Sequence, residues 1–246
     1  MTENETTWWR KILGLVRELR NRYIVKSRKS YTLLTNEEYY KRFGIVKQED
    51  GKYEVPVVNK RQVQAAYDKV WEIRNFEIDK FWTRAAYFWG FIVLIFGGYI
   101  SVITSSKNLA ETHLDLFLLC LGLLFSLAWL LVIRGSKCWQ ENWESHIDML
   151  EDFVSGPIYK TIHYGDRPFF SVSKLNEIMA LAVLFVWVAL FVQNLHARYS
   201  FGLHNIDWIA TTAVFGTAVL AVVMLRGYCR SDYYTSPGGF FDRSEE

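Results

Sequence analysis

Residues 59–105, NKRQVQAAYDKVWEIRNFEIDKFWTRAAYFWGFIVLIFGGYISVITS, decide how this chain folds. Neither proline nor glycine occurs between Asn59 and Trp89. Nothing therefore interrupts a helix that starts near Lys60 and runs on through the apolar stretch Ala86–Ser105. At 1.5 Å per residue it is roughly 65–70 Å long, about twice what a hydrocarbon core of ~30 Å requires.

Three further runs have the length and composition of a membrane span: Leu114–Ile133, Ile178–Leu195 and Trp208–Leu225. The second also overshoots. Its pattern passes Arg134 and reaches about Val154, where Gly156-Pro157 stops it. Gly135 is its weak point and a candidate bend, at a cost of ~1 kcal/mol. The two overshoots match, so the expected form is an antiparallel helical hairpin standing ~30 Å proud of the membrane. Its contact stripe reads Val63, Tyr67, Val70, Trp71 and Phe81 on one arm, and Trp139, Trp143, Ile147, Leu150 and Val154 on the other. Trp71, Phe81, Trp139, Trp143 and Leu150 are the expected packing and assembly residues, since large rings dominate such contacts.

The expected fold is thus an all-α membrane protein with four transmembrane helices. The first two extend into a cytoplasmic hairpin, and a small α+β region precedes them. Residues 1–60 form that N-terminal region, 61–155 the long helix pair with spans 86–105 and 114–133, and 156–176 a connection. Residues 177–226 hold spans 178–195 and 208–225, and 227–246 form a tail whose TSPGGFFDRSEE reads as flexible. Within the first region, residues 7–25 are a basic amphipathic helix, lying on the membrane or docked on the protein's own cytoplasmic part. Thr35 to Glu38 is a capping box opening a short helix that Gly44 ends, and Asn59 with Gln62 is a second box. Ile45–Val58 alternates around Asp50-Gly51, a hairpin signal. Ser173 is the expected cap of the third span.

The whole-chain averages hide this organisation. The 246 residues are 51% hydrophobic, with 28 basic and 26 acidic side chains, and the mean hydropathy of +0.03 is unremarkable for a soluble protein. A net charge of +2 is too small to suggest nucleic acid. Three cysteines without paired spacing exclude a disulfide framework or a CxxC zinc site. No signal peptide is visible, so the first span is expected to act as the insertion signal. Lys and Arg are sharply partitioned. Residues 1–84 carry 18 of them, whereas Lys107 and Arg198 are alone in their short loops. The positive-inside rule then puts both termini and the middle connection in the cytoplasm.

Signs of chemistry are sparse. No ionisable residue lies in mid-span, and His113, Asp115 and Glu177 sit at edges where they can reach water. That argues against a proton-coupled transporter. His146, Asp148, Glu151 and Asp152 read as a solvated acidic face, because His146 has no acidic partner at helical spacing beyond it. No P-loop, HExxH, GxSxG or GxGxxG motif occurs, so no catalytic, metal or cofactor residue is expected. Small residues at intervals of four (Gly97/Ser101/Ser105, Gly122/Ser126, Ala213/Thr217/Ala221) allow close helix approach, chiefly within one bundle. The third span, bulky all round, reads as peripheral, and Trp89, Trp129 and Trp208 as interfacial belt residues.

Two stretches, WEIRNFEIDKFWTRAAYFW from Trp71 to Trp89 and RGSKCWQENWESHIDMLED from Arg134 to Asp152, are followed by GPIYKT at 156–161. They resemble the RipA family of bacterial octameric inner-membrane proteins, chiefly over residues 65–200. The resemblance implies a homo-octamer in a bacterial cytoplasmic membrane and a role linked to growth inside host cells or under stress. It supplies no catalytic residues. The expected function is a non-enzymatic oligomeric scaffold or sensor whose partners are the lipid bilayer, further copies of itself and an unidentified cytoplasmic protein. The alternative is a channel on the oligomer axis, for which Thr211, Thr212 and Thr217 offer the only polar cluster.

Overall fold

The computed structural model describes residues 32–105, 113–163, 165, 170–199, 207–226 and 239–242. The 7–25 segment, most of both short loops and most of the tail lie outside the described residues. Strand β1 (Thr32–Leu33) leads into helix α1 (Asn36–Arg42), followed by the hairpin β2 (Val46–Lys47) and β3 (Tyr53–Glu54). Then come the long helices α2 (Lys60–Ile103) and α3 (Leu114–Leu150), the shorter α4 (Val172–Tyr199) and α5 (Trp208–Arg226), and strand β4 (Phe241–Asp242). All four long helices are long and apolar enough to cross a membrane. At 1.5 Å per residue, the 44 residues of α2 and 37 of α3 reach about 66 and 55 Å. Both continue past the apolar spans as a paired stalk.

Local chemistry explains most element ends. Thr35 Oγ1 accepts from the Glu38 amide at 3.2 Å, and the Glu38 carboxylate accepts from the Thr35 amide at 2.7 Å, closing the capping box of α1. Gly44, at φ +71°, takes the left-handed turn out of that helix. Asn59 does not cap α2 as its spacing suggests. A 3-10 turn at Val57–Asn59 makes the backbone helical before Asn59 is reached, and its side chain donates to Gly44 O at 2.8 Å instead. The third span is capped by Ser171 rather than Ser173: α4 starts at Val172, and the Lys174 amide donates to Ser171 Oγ at 3.4 Å. Gly135 does not break α3, which is continuous to Leu150.

Helix α3 is the hub, with α2, α4 and α5 packed round it. In its most apolar window 44% of positions are buried, against 17%, 11% and 11% in the other three spans. This centrality corrects two readings. Trp129 is fully buried rather than interfacial, because α3 is covered on more than one face. The third span is not uniformly peripheral: Trp187 is fully buried and stacks on Phe96 at 4.1 Å, although Phe185 on the same helix is exposed. Gly122 explains the position of Trp187. A Cβ there would stand 2.4 Å from the indole, so the small residue is a notch for a ring rather than a backbone-to-backbone contact.

Candidate functional site

Two regions concentrate polar chemistry, at opposite ends of α3. At the stalk end, Val63, Tyr67 and Val70 of α2 meet Ile147 and Leu150 of α3, and Tyr39, Ile45 and Val55 of the preceding region close over them. Phe81 is buried lower down, with Trp129, Leu130 and Ile133. Leu150 is fully buried. Trp71 is half-buried, edge-on to Tyr67 and to Tyr159. Trp143 lies against the same core and stacks on His146 at 5.6 Å. Trp139 departs from the stripe: it is 41% exposed and stacks on Trp143. Eight residues at about 100° each put it roughly 80° round the helix from Ile147, off the seam.

The supposed acidic face is not uniformly solvated. Glu151 is fully buried, its carboxylate accepting from the amides of Tyr159 and Lys160 at 2.7 and 3.1 Å. Its backbone carbonyl accepts from Val154, Ser155 and Gly156, with Gly156 at φ +74°. One residue thus folds the turn that ends the stalk. Asp148 has its carboxyl pushed up, first by burial and then by the neighbouring Glu151. His146 is enclosed by Tyr39, Trp143 and Phe240. Burial lowers its pKa to about 4 and raises that of Tyr39, so the Tyr39 hydroxyl shares a hydrogen bond with a neutral imidazole. Phe240 comes from the segment read as flexible tail. Within it, β4 pairs antiparallel with β1, and the Phe240 ring sits 4.3 Å from that of Tyr39. No local pattern in TSPGGFFDRSEE announces this, because its partner strand lies more than two hundred residues away.

At the opposite end, the edge residues form a network instead of reaching for water. Asp115 is only 7% exposed. It accepts from Arg198 Nη2 at 2.6 Å and from Asn194 Nδ2 at 2.7 Å, and Arg198 Nε donates to Asn194 at 2.9 Å. His113 Nδ1 is 3.1 Å from Arg198 Nη1 and 3.2 Å from Asp207. Asp207 in turn caps α5, accepting from the Ile209 and Ala210 amides. Five polar side chains therefore tie α3, α4 and α5 together. The signal was present in Asp115 and Arg198, one edge residue on each of two neighbouring spans. Among the described residues no His, Cys, Asp or Glu group is arranged to hold a metal ion. Thr211, Thr212 and Thr217 turn their hydroxyls back onto carbonyls of their own helix, at Asp207, Trp208 and Ala213.

The stalk is thus continuous with the first two of the four apolar helices. The profile of the octameric membrane protein family (8xMP) matches residues 64–196, more than half the chain. The chain belongs to that family. The matched region takes in most of α2, all of α3 and most of α4. It therefore includes the aromatic ladder Trp139–Trp143–His146, Glu151 and its turn, and the Asp115–Asn194 pair. Arg198, α5 and the strands lie outside the 8xMP match. No curated protein and no solved structure gives a significant match.

Proposed function

We propose that this 8xMP member assembles as a homo-octamer in a bacterial inner membrane, with stalk and both termini in the cytoplasm, and serves as a non-enzymatic scaffold or sensor. The observation that carries the reading is the stalk. Two helices continue rigidly from the bilayer into a folded head, and its aromatic surface at Phe76, Trp82 and Trp139 stays exposed on a single chain. Exposed large rings beside a packed core suit contacts with other copies or with a partner. The family name supports the count of eight, and the Lys/Arg partition supports the orientation.

The channel reading draws less support. Conduction needs a wet, polar path, and the threonines of α5 are satisfied by their own backbone. The test is the mass of the complex in nanodiscs, together with reconstitution into planar bilayers. A particle of about eight times 28.9 kDa without unitary currents fits the proposal. A monomeric mass removes it, and reproducible currents abolished by Thr212→Leu with Thr217→Leu promote the channel.

A further inference from the structure

Where the apolar spans give way to the stalk, α2, α3 and α5 enclose an open groove of roughly 500 Å³. Its lining changes character along its length. Ala128, Leu131, Val132 and Met224 line the side level with the spans, and Glu77, Arg84 and Ser136, with the Trp139 ring, the side level with the stalk. Gly135 lies in its wall, and a Cβ there would meet open space. The charged part is built but incompletely used. Arg84 Nη1 donates to Ser136 Oγ at 2.9 Å and to Glu77 at a loose 3.4 Å. Its Nε and Nη2 have no partner among the described residues, so most of a five-donor guanidinium remains available. The Glu77 side chain is only 18% exposed, so its carboxylate is partly withdrawn from water at the groove wall.

We propose that this groove binds one phospholipid with a primary amine in its headgroup, the phosphate on Arg84, the ammonium on Glu77 and an acyl chain along Leu131, Val132 and Met224. Charge complementarity selects the occupant. A cation and an anion side by side match a zwitterionic headgroup better than a purely anionic one, which Glu77 repels. A primary ammonium donates hydrogen bonds to Glu77, whereas a quaternary choline has none to give. The polarity switch favours lipid over a second copy of the chain: it falls at the depth where a phospholipid itself changes from tail to headgroup. The volume is that of a small-molecule site rather than of a helix-length seam.

The test uses the full chain, purified in detergent, stripped of lipid and titrated in native mass spectrometry. Phosphatidylethanolamine, phosphatidylcholine and phosphatidylglycerol of identical chains are the probes. The expected result is one phosphatidylethanolamine per chain, retained about tenfold better than the others, the value of one charge-assisted hydrogen bond. Gly135→Leu fills the groove from a position where added atoms meet open space, and it should abolish retention while helical content and unfolding temperature hold. Glu77→Gln should keep lipid but lose the preference for the primary amine. Equal retention of all three lipids, or retention indifferent to both variants, means annular lipid only and overturns the site. A Gly135→Leu effect on oligomer mass without one on lipid count makes a neighbouring copy the occupant and equally overturns it.

Discussion

The Tyr39 hydroxyl lies 2.7 Å from Nδ1 of His146, across 107 residues of sequence. This contact joins the short α1 to the stalk, and Phe240 closes over both rings. N-terminal region, stalk and C-terminal strand thereby meet at one half-buried imidazole, which burial keeps neutral.

Stalk stability should fall with acid. An unfolded histidine titrates near 6.5 and the buried His146 at about 4. Below 6.5 the unfolded chain binds a proton that the folded chain refuses, so folding is favoured above that pH and weakened as pH falls towards 4. A difference of this size is worth on the order of 3 kcal/mol. Thermal unfolding between pH 4 and 7.5 should show the slope, and His146→Asn, which keeps an acceptor without titrating, should flatten it. An unchanged slope in the variant would assign the acid sensitivity to other groups.

Gly122→Ala should damage the α3–α4 contact. The added Cβ would stand 2.4 Å from the Trp187 ring, and overpacking of this kind costs about 1–3 kcal/mol. A lowered unfolding temperature is expected, partly restored by adding Trp187→Leu. If Gly122→Ala is silent by itself, the ring does not sit in that notch.

The far-end network should behave as a unit. Arg198→Met leaves a buried Asp115 without its cation, a loss of about 3–5 kcal/mol for a buried pair. Asp115→Asn in the same chain should recover much of it, giving a non-additive double-mutant cycle. Simple additivity in the unfolding temperatures would show that the two side chains do not interact.

The tryptophans should differ in what they report. Trp143→Ala and Leu150→Ala remove stalk core, at about 3–5 and 2–5 kcal/mol, and should expose the stalk to protease. Trp139→Ala, with its ring 41% exposed, should change a single chain's stability by less than about 1 kcal/mol. Loss of oligomer mass with an intact stalk after that substitution would locate the ring at a contact between copies. Protease sensitivity equal to that of Trp143→Ala would instead return it to the core.

Membrane class, four spans and the paired overshoot of the first two were legible in the sequence. These follow from run length, from the absence of helix breakers between Asn59 and Trp89, and from Gly156-Pro157. Such signals act locally, through hydration of side chains and permitted backbone angles, so each can be read without knowing the neighbours. Thr35–Glu38 and Asp50-Gly51 were legible for the same reason. What each helix face touches was not. Trp129 and Trp187 are buried because α3 became the hub, and Asp115 is buried because Arg198 arrived beside it from another helix. Glu151 lost its water to its own turn, and Phe240 reached Tyr39 only through a strand pair spanning the chain. Apolar length is a property of a segment, whereas burial and the pairing of charges belong to two segments at once, and only the tertiary structure brings those together.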